Sequence, residues 1–403
     1  MLRLSLALFL VQAGFHGFTA SIPLALSRAG RPDAEIGILV GLAALVQVPA
    51  ALAGGALIDR FGGMRLFALG GVLYLISCGL LLLPGLDPAG STLAIAAARG
   101  LQGAGFGLCV PAALAVVPLI VPFARRGVAL ATTSLSHNMT LVVLPPLSIV
   151  VLDASGLDGV TLMVAALVVA GLGVAFVRSM PVRATVESNL GEASRRFGFA
   201  FRRSWLAPLA ITTLFVIHWG VITAYMPQRA ELAGANIGLF FAADGLFVLL
   251  SRLPAGWIAD RTRPIWPVLA GIALTFVAVL LLLPLPTTPI LIVSGSLTGI
   301  GAALIIQPLL LALTRRSSDA DRGSAFALFS ACFAAAIVLG TIGTAPLIDP
   351  LGFETVLLLA LGALLASAGV AIADRGLRSN DEPSTGPSAG AEGPTDVATP
   401  IGP

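Results

Sequence analysis

The chain has 403 residues, of which 57% are hydrophobic and 11% charged, with a mean hydropathy of +0.99. Ordinary globular domains carry about 25% charged residues, so this composition excludes a soluble protein and points to an all-α polytopic membrane protein. All 23 basic residues are arginine, and their placement, taken up below, ties the +3 net charge to membrane orientation and not to nucleic-acid binding.

A membrane-crossing helix needs about 20 consecutive apolar residues. Twelve such runs are predicted, at 4–27, 36–58, 66–84, 91–120, 127–151, 159–178, 206–227, 237–259, 265–285, 288–313, 323–348 and 352–374. The first carries Gln12 and His16. The second carries Gln47 and then a charged turn, Gly55-Ala56-Leu57-Ile58-Asp59-Arg60-Phe61-Gly62-Gly63-Met64-Arg65. Asp59 there faces the negative pole of its own helix, at a cost of about 0.3–1 kcal/mol. Arg60, Arg65 or the positive end of another helix must offset it.

The fourth run holds Arg99-Gly100-Leu101-Gln102-Gly103-Ala104-Gly105-Phe106-Gly107. An arginine in hydrocarbon is costly and must face a polar interior, while Gly103 and Gly107 form a face that lets another helix approach closely. The fifth run follows Arg125-Arg126-Gly127 and contains His137 and Asn138. Residues 179–205 form a linker whose end alternates arginine with phenylalanine, a pattern suited to an anionic membrane surface.

The seventh run carries His218, Trp219 and Tyr225, and the eighth carries Asp244 and Arg252 before Gly256-Trp257-Ile258-Ala259-Asp260-Arg261. Asp244 is the carboxylate placed well inside a span. It is read either as a group that takes up and releases a proton, or binds a cationic solute, or as a counter-ion to an arginine such as Arg99 or Arg252. The histidines are equally open to a plain reading as hydrogen-bonded packing residues. The tenth run repeats a glycine pair, Gly299 and Gly301, and Asp321-Arg322-Gly323 precedes the eleventh. Residues 376–403 are rich in Pro, Gly, Ser and Thr and are expected to form a disordered cytoplasmic tail. Cys78, Cys109 and Cys332 fall inside apolar runs with no metal or disulfide spacing.

Two features bind these elements into one plan. Gly55/Gly256, Asp59/Asp260 and Arg60/Arg261 recur at one offset of 201, and Arg126/Arg322 at 196, so the chain is predicted to be two pseudo-symmetric six-helix bundles, 1–178 and 206–375, around the linker. With the N-terminus inside, 18 arginines fall in cytoplasmic segments and three (Arg28, Arg31, Arg229) outside. By the positive-inside rule both termini are cytoplasmic.

The charged turn and the Arg-x-x-Gln-Gly-x-Gly run resemble the loop 2–3 and helix 4 signatures of the major facilitator superfamily. The Gly256–Arg261 stretch resembles the weaker loop 8–9 copy. That resemblance covers about residues 1–376 and implies a secondary transporter working by alternating access, not an enzyme, without a cofactor, functional as a monomer in a bacterial plasma membrane. It implies a small organic solute as cargo, with proton-driven efflux as the expected task and import by symport or uniport as the alternative. It places a cytoplasmic gate at Gly55, Asp59, Arg60, Gly62, Arg65, Gly256, Asp260 and Arg261. In such a gate Asp59 would meet the start of the eleventh helix near Gly323, and Asp260 the start of the fifth. Arg99 with Gln102 is expected at the substrate or coupling site, where Asp244, Arg252, His16, His137 and His218 are further candidates. Arg99 bonded to backbone carbonyls in a purely structural role is the competing reading. One departure stands out: in the fifth run Thr140 and Leu144 replace glycines that proton antiporters of this superfamily often carry before Pro145.

No nucleotide-binding loop of the Gly-x-x-x-x-Gly-Lys type can exist without lysine. A membrane-embedded enzyme would need paired carboxylates or a metal set at one depth, which three dispersed histidines and one carboxylate do not make.

Overall fold

A computed structural model describes residues 2–83, 91–116, 126–176, 201–318 and 321–378; at 2–4, 55–56, 59, 114, 126–137, 260 and 322–323 only the backbone is described. The described residues form helices and turns, with no strand. In chain order the helices are α1 (Leu2–Arg28), α2 (Asp33–Phe61), α3 (Gly63–Leu81), α4 (Thr92–Val116), α5 (Arg126–Phe176), α6 (Leu206–Leu232), α7 (Ile237–Arg261), α8 (Ile265–Leu280), α9 (Thr288–Arg315), α10 (Arg322–Thr341), α11 (Ala345–Ala373) and the short α12 (Arg375–Arg378).

Among the described residues ten of these helices are long and apolar enough to cross a membrane, and α8, at 16 residues, is shorter. Residues predicted as the fifth and sixth runs form one helical stretch, α5. As a straight rod its 51 residues would reach about 77 Å, far beyond a bilayer. Non-helical backbone at Ser155 and Gly156, the latter at φ 67, folds it into two arms instead. Counting those arms separately, and α8 with them, the described residues supply twelve apolar segments. The predicted boundary near 348–352 moves: α10 ends at Thr341, and α11 already begins at Ala345 and breaks at Gly352. The tail, too, starts in contact with the body, since Leu377 of α12 is fully buried.

The charged turn has a simple backbone cause. Gly62 ends α2 at φ 83 and donates its N–H to the Ile58 carbonyl, and α3 begins at the next residue. A side chain at that φ would be strained, so a reversal this tight requires glycine.

Packing follows the sequence repeat. A Cβ added at Gly103 of α4 would lie 2.1 Å from the Ala43 carbonyl oxygen of α2, and one at Gly299 of α9 would lie 2.4 Å from the Asp244 carbonyl oxygen of α7. Gly105 meets the Gly70 carbonyl as Gly301 meets that of Gly271. Each of these pairs maps onto the other at offsets 196 and 201. Close backbone contact through glycine is how helices gain dispersion energy where lipid removes the hydrophobic drive.

The end of the linker is fixed to the second half. Trp205, fully buried, donates its indole N–H to the Arg316 carbonyl at 3.1 Å, and Arg316 reaches both the Ser204 carbonyl at 2.9 Å and Asp374 at 2.7 Å. Arg202 pairs with Asp321. The Ser318 hydroxyl and Arg202 hold the Asp321 carboxyl below its usual range, so this pin persists through mild acid and loosens only as pH falls through that lowered value. The alternating Arg/Phe stretch before residue 201 lies outside the described residues.

The two halves meet through α5 with α7, α2 with α10 and α11, and α6 with α1 and α2. Three hydrogen bonds that join them lie at one end. Arg28 donates to Glu231 at 2.6 Å, the Ala34 N–H to Asp349 at 3.3 Å, and Gln228 to Asp33 at 3.5 Å. Arg28 also donates to Asp153. In the topology predicted from the arginines this is the outer end.

Candidate substrate cavity

Between the halves lies a cavity of about 640 Å³. Its wall reaches from the level of Arg99 down to Leu8, Val110 and Gln307, near the opposite helix ends, so it extends away from the clasped end. Most of the lining is Leu, Val, Ala, Ile and Phe, interrupted by polar groups from α1, α2, α4, α5, α6, α7, α9 and α10.

Arg99, on α4, is 7% exposed and lines this space. Its Nε donates to the Leu39 carbonyl at 3.2 Å, Nη2 to the Val40 carbonyl at 2.8 Å and Nη1 to Gln102 Oε1 at 2.7 Å. Gln102, one turn along, is fully buried and holds the guanidinium rather than the cavity. Three of the five guanidinium N–H donors are thereby used. The ion pairs among the described residues do not include Arg99.

Asp244, on α7, is 4% exposed and lines the cavity, and its Oδ1 has no hydrogen-bond partner among the described residues. It forms an ion pair with neither Arg99 nor Arg252, so the counter-ion reading finds no direct bond here. Arg252 lines the same cavity eight residues further on, about 12 Å along the helix. His218, on α6, is 2% exposed and sets Nδ1 against the Phe215 carbonyl. A carbonyl can only accept, so Nδ1 carries the proton and, in the neutral ring, Nε2 is an acceptor. That Nε2 has no partner among the described residues. His16, on α1, is bonded through Nδ1 to Thr140 Oγ1 at 2.7 Å.

Three of these groups, His218, Asp244 and His16, are linked through their neighbours. The Trp219 ring contacts Phe240 and, edge-on at 5.7 Å, Phe241, which sets His218 within about one turn of Asp244 in depth. Next to Asp244, Gly245 lies against the α5 turn of Asn138 and Val142, the turn that carries Thr140 and hence His16. Thr140, a departure from the glycine pattern, therefore serves the His16 contact. Gln12, whose Oε1 is buried and without a partner among the described residues, and the stacked pair Phe15–Phe106 at 4.1 Å complete the first-half wall. They were not among the predicted site residues; Gln12 was visible only as a polar interruption, and the aromatic stack had no sequence signal.

The remaining predicted residues lie elsewhere. The side chains of His137, Asp59 and Asp260, and Gly55, lie outside the described residues, so the expected contacts with the starts of the fifth and eleventh helices have no placement. Gly62 makes the turn described above. Arg60 and Arg65 are exposed, with Arg60 over the Phe61 ring. Gly256 has open space on its Cβ side, and Arg261 stacks 4.3 Å above Trp257. Arg60, Gly62, Arg65, Gly256 and Arg261 do not line the cavity.

The family model of the Major Facilitator Superfamily matches residues 4–236 and again 219–401, and the chain belongs to that superfamily. It is a multi-pass membrane transporter, of a superfamily of transporters and not of enzymes. Among solved structures it is similar to a mutant of the peptide transporter POT in complex with alafosfalin (TM-score 0.75, 15% identity, covering 92% of this chain and 94% of that one). It is similar also to a POT family transporter in complex with 5-aminolevulinic acid (0.75, 14%, 92% and 95%) and to the inward-open xylose transporter XylE from E. coli (0.71, 14%, 92% and 95%). Identities this low speak for the fold. No curated protein sequence matches the chain.

Proposed function

We propose that this protein exports a small organic solute across the plasma membrane in exchange for protons, with both termini in the cytoplasm and 1–178 and 206–375 rocking about the central cavity. The observation that supports this reading is Asp244, a buried carboxylate in the wall of the cavity between the halves, one oxygen of which has no partner among the described residues. Such a group can exchange a proton each time its access to water changes, which coupling requires. The turns around Asp59 and Asp260 would close the inner side when the outer side opens. Import by symport or uniport is the second reading, favoured by Thr140 and Leu144 standing where antiporters often carry glycine.

Vesicles of either orientation, given an imposed pH gradient and a panel of radiolabelled solutes, decide the matter. Proton-driven net flux outward from the cytoplasmic face is expected. Asp244→Asn should abolish uphill accumulation per unit of inserted protein and keep passive exchange, because the amide resembles the protonated acid. Coupling retained in that variant, or flux in the inward direction only, would end the export reading.

A further inference from the structure

The repeat that pairs the glycine joints also pairs the positions of the buried charges, and there the halves disagree. At offset 196 Arg99 corresponds to Gly295, and at offset 201 Asp244 corresponds to Ala43. The structure makes these equivalences physical. Arg99 donates to the Leu39 carbonyl, while a Cβ on Gly295 would lie 2.3 Å from the carbonyl oxygen of Phe240, the residue equivalent to Leu39. Gly103 packs on the Ala43 carbonyl as Gly299 packs on that of Asp244. One half has therefore placed a cation, and the other an anion, at neighbouring levels of one cavity.

The two charges do not neutralise each other, since no ion pair joins them, and each keeps capacity in hand. Arg99 has two N–H donors beyond the three already used. Asp244, in the cavity wall, has an oxygen buried without a partner among the described residues, and the buried His218 Nε2 is a second acceptor without one. Leaving a buried charge without a partner costs several kcal/mol; a ligand that brings both missing partners removes both costs at once. Neither a simple amine nor a simple acid does so, and Arg252 on the same wall disfavours a bare cation.

Resting on the transport reading above, we infer that the cargo is a small zwitterion of the amino-acid type. Its carboxylate lies on the free N–H groups of Arg99, and its ammonium on Asp244 and His218 Nε2. The apolar remainder of the cavity, with Trp219 and the Phe15–Phe106 pair, takes a hydrocarbon or aromatic body between or beside the two groups. Because the partners belong to opposite halves, such a ligand ties the halves together when it binds.

The test uses purified full-length protein and a series of ω-amino acids from glycine to 6-aminohexanoate together with phenylalanine. Each is compared with the amine and the acid that share its carbon skeleton, by thermal shift and by titration of tryptophan fluorescence. At least one zwitterion should bind tenfold or more tighter than both of its matched partners. Arg99→Gln should erase the preference over the amine, and Asp244→Asn the preference over the acid, each variant losing one discrimination and keeping the other. The wild-type comparison needs no variant and stands if either one fails to accumulate. Equal or tighter binding of the amines or acids, or no binding across the series, overturns the inference. Proton-driven flux of some other solute, with no member of the series binding, would refute the cargo and spare the transport reading. Zwitterion binding without a proton-driven flux would do the reverse.

Discussion

The first and second halves of this chain share their joints and differ in their chemistry. Gly103 and Gly299, and Gly105 and Gly301, sit in the same contacts with the same backbone carbonyls, whereas Arg99 faces a glycine equivalent and Asp244 an alanine equivalent. Positions that let two helices touch tolerate almost nothing but glycine. Positions that look into the cavity carry no such constraint, so a duplicated scaffold can keep the first set and let the second diverge. Function in this fold is therefore to be sought where the repeat fails.

The largest expected effects lie at the joints. Gly103→Ala and Gly299→Ala each push a methyl group into backbone at under 2.5 Å, and overpacking of that kind costs about 1–3 kcal/mol. Both variants should lower the melting temperature of the purified protein to a similar degree; a large loss in one and none in the other would break the equivalence of the halves. Next comes Arg99→Lys, which keeps the charge but loses the planar fork that grips Leu39, Val40 and Gln102. Transport per inserted molecule should fall roughly tenfold, about 1.4 kcal/mol, at normal abundance, and wild-type transport would reduce Arg99 to a point charge. Asp59→Asn and Asp260→Asn should each insert normally and lower turnover severalfold, with increased labelling of cysteines placed in the inner part of the cavity. Unchanged labelling would remove the gate from that turn. The smallest effect is at a helix start. Asn236 caps α7 by accepting the Gly238 N–H at 2.9 Å, while α2 starts at Pro32 with no side-chain cap. Asn236→Ala should cost about 1 kcal/mol of stability with transport unaltered, and no matching loss is expected from a change at Pro32.

Much of this was legible in the sequence, for a physical reason. In a run that must be apolar to cross lipid, each polar residue is an exception, so Arg99, Asp244, His16 and His218 announced themselves, as did the offsets that relate the halves. What those residues bind was not legible. Arg99 finds its carbonyls on α2 and His16 its hydroxyl on α5, across sequence separations of 59 or more, and no local pattern encodes such a partner. The alternative reading of Asp244 as a counter-ion finds no ion pair with Arg99 or Arg252 among the described residues. The clasp of Arg28 with Asp153 and Glu231 was missed because exposed charges near helix ends look alike until the chain brings them together. The break within α5 at Ser155 and Gly156 falls between the fifth and sixth predicted runs, 127–151 and 159–178.

The bonds between the halves at Arg28–Glu231, Ala34–Asp349 and Gln228–Asp33 gather at a single end, and this gives the molecule a mechanical character. On the transport reading proposed above, the two bodies would act as a pair of tongs whose rivet is the clasped end. A swing of about 10° moves the far tips by roughly 5 Å across a bilayer about 30 Å thick, enough to admit a small molecule. The fastenings are an exposed ion pair and two single hydrogen bonds, and exposed ion pairs hold weakly, so the rivet would open without unfolding either arm.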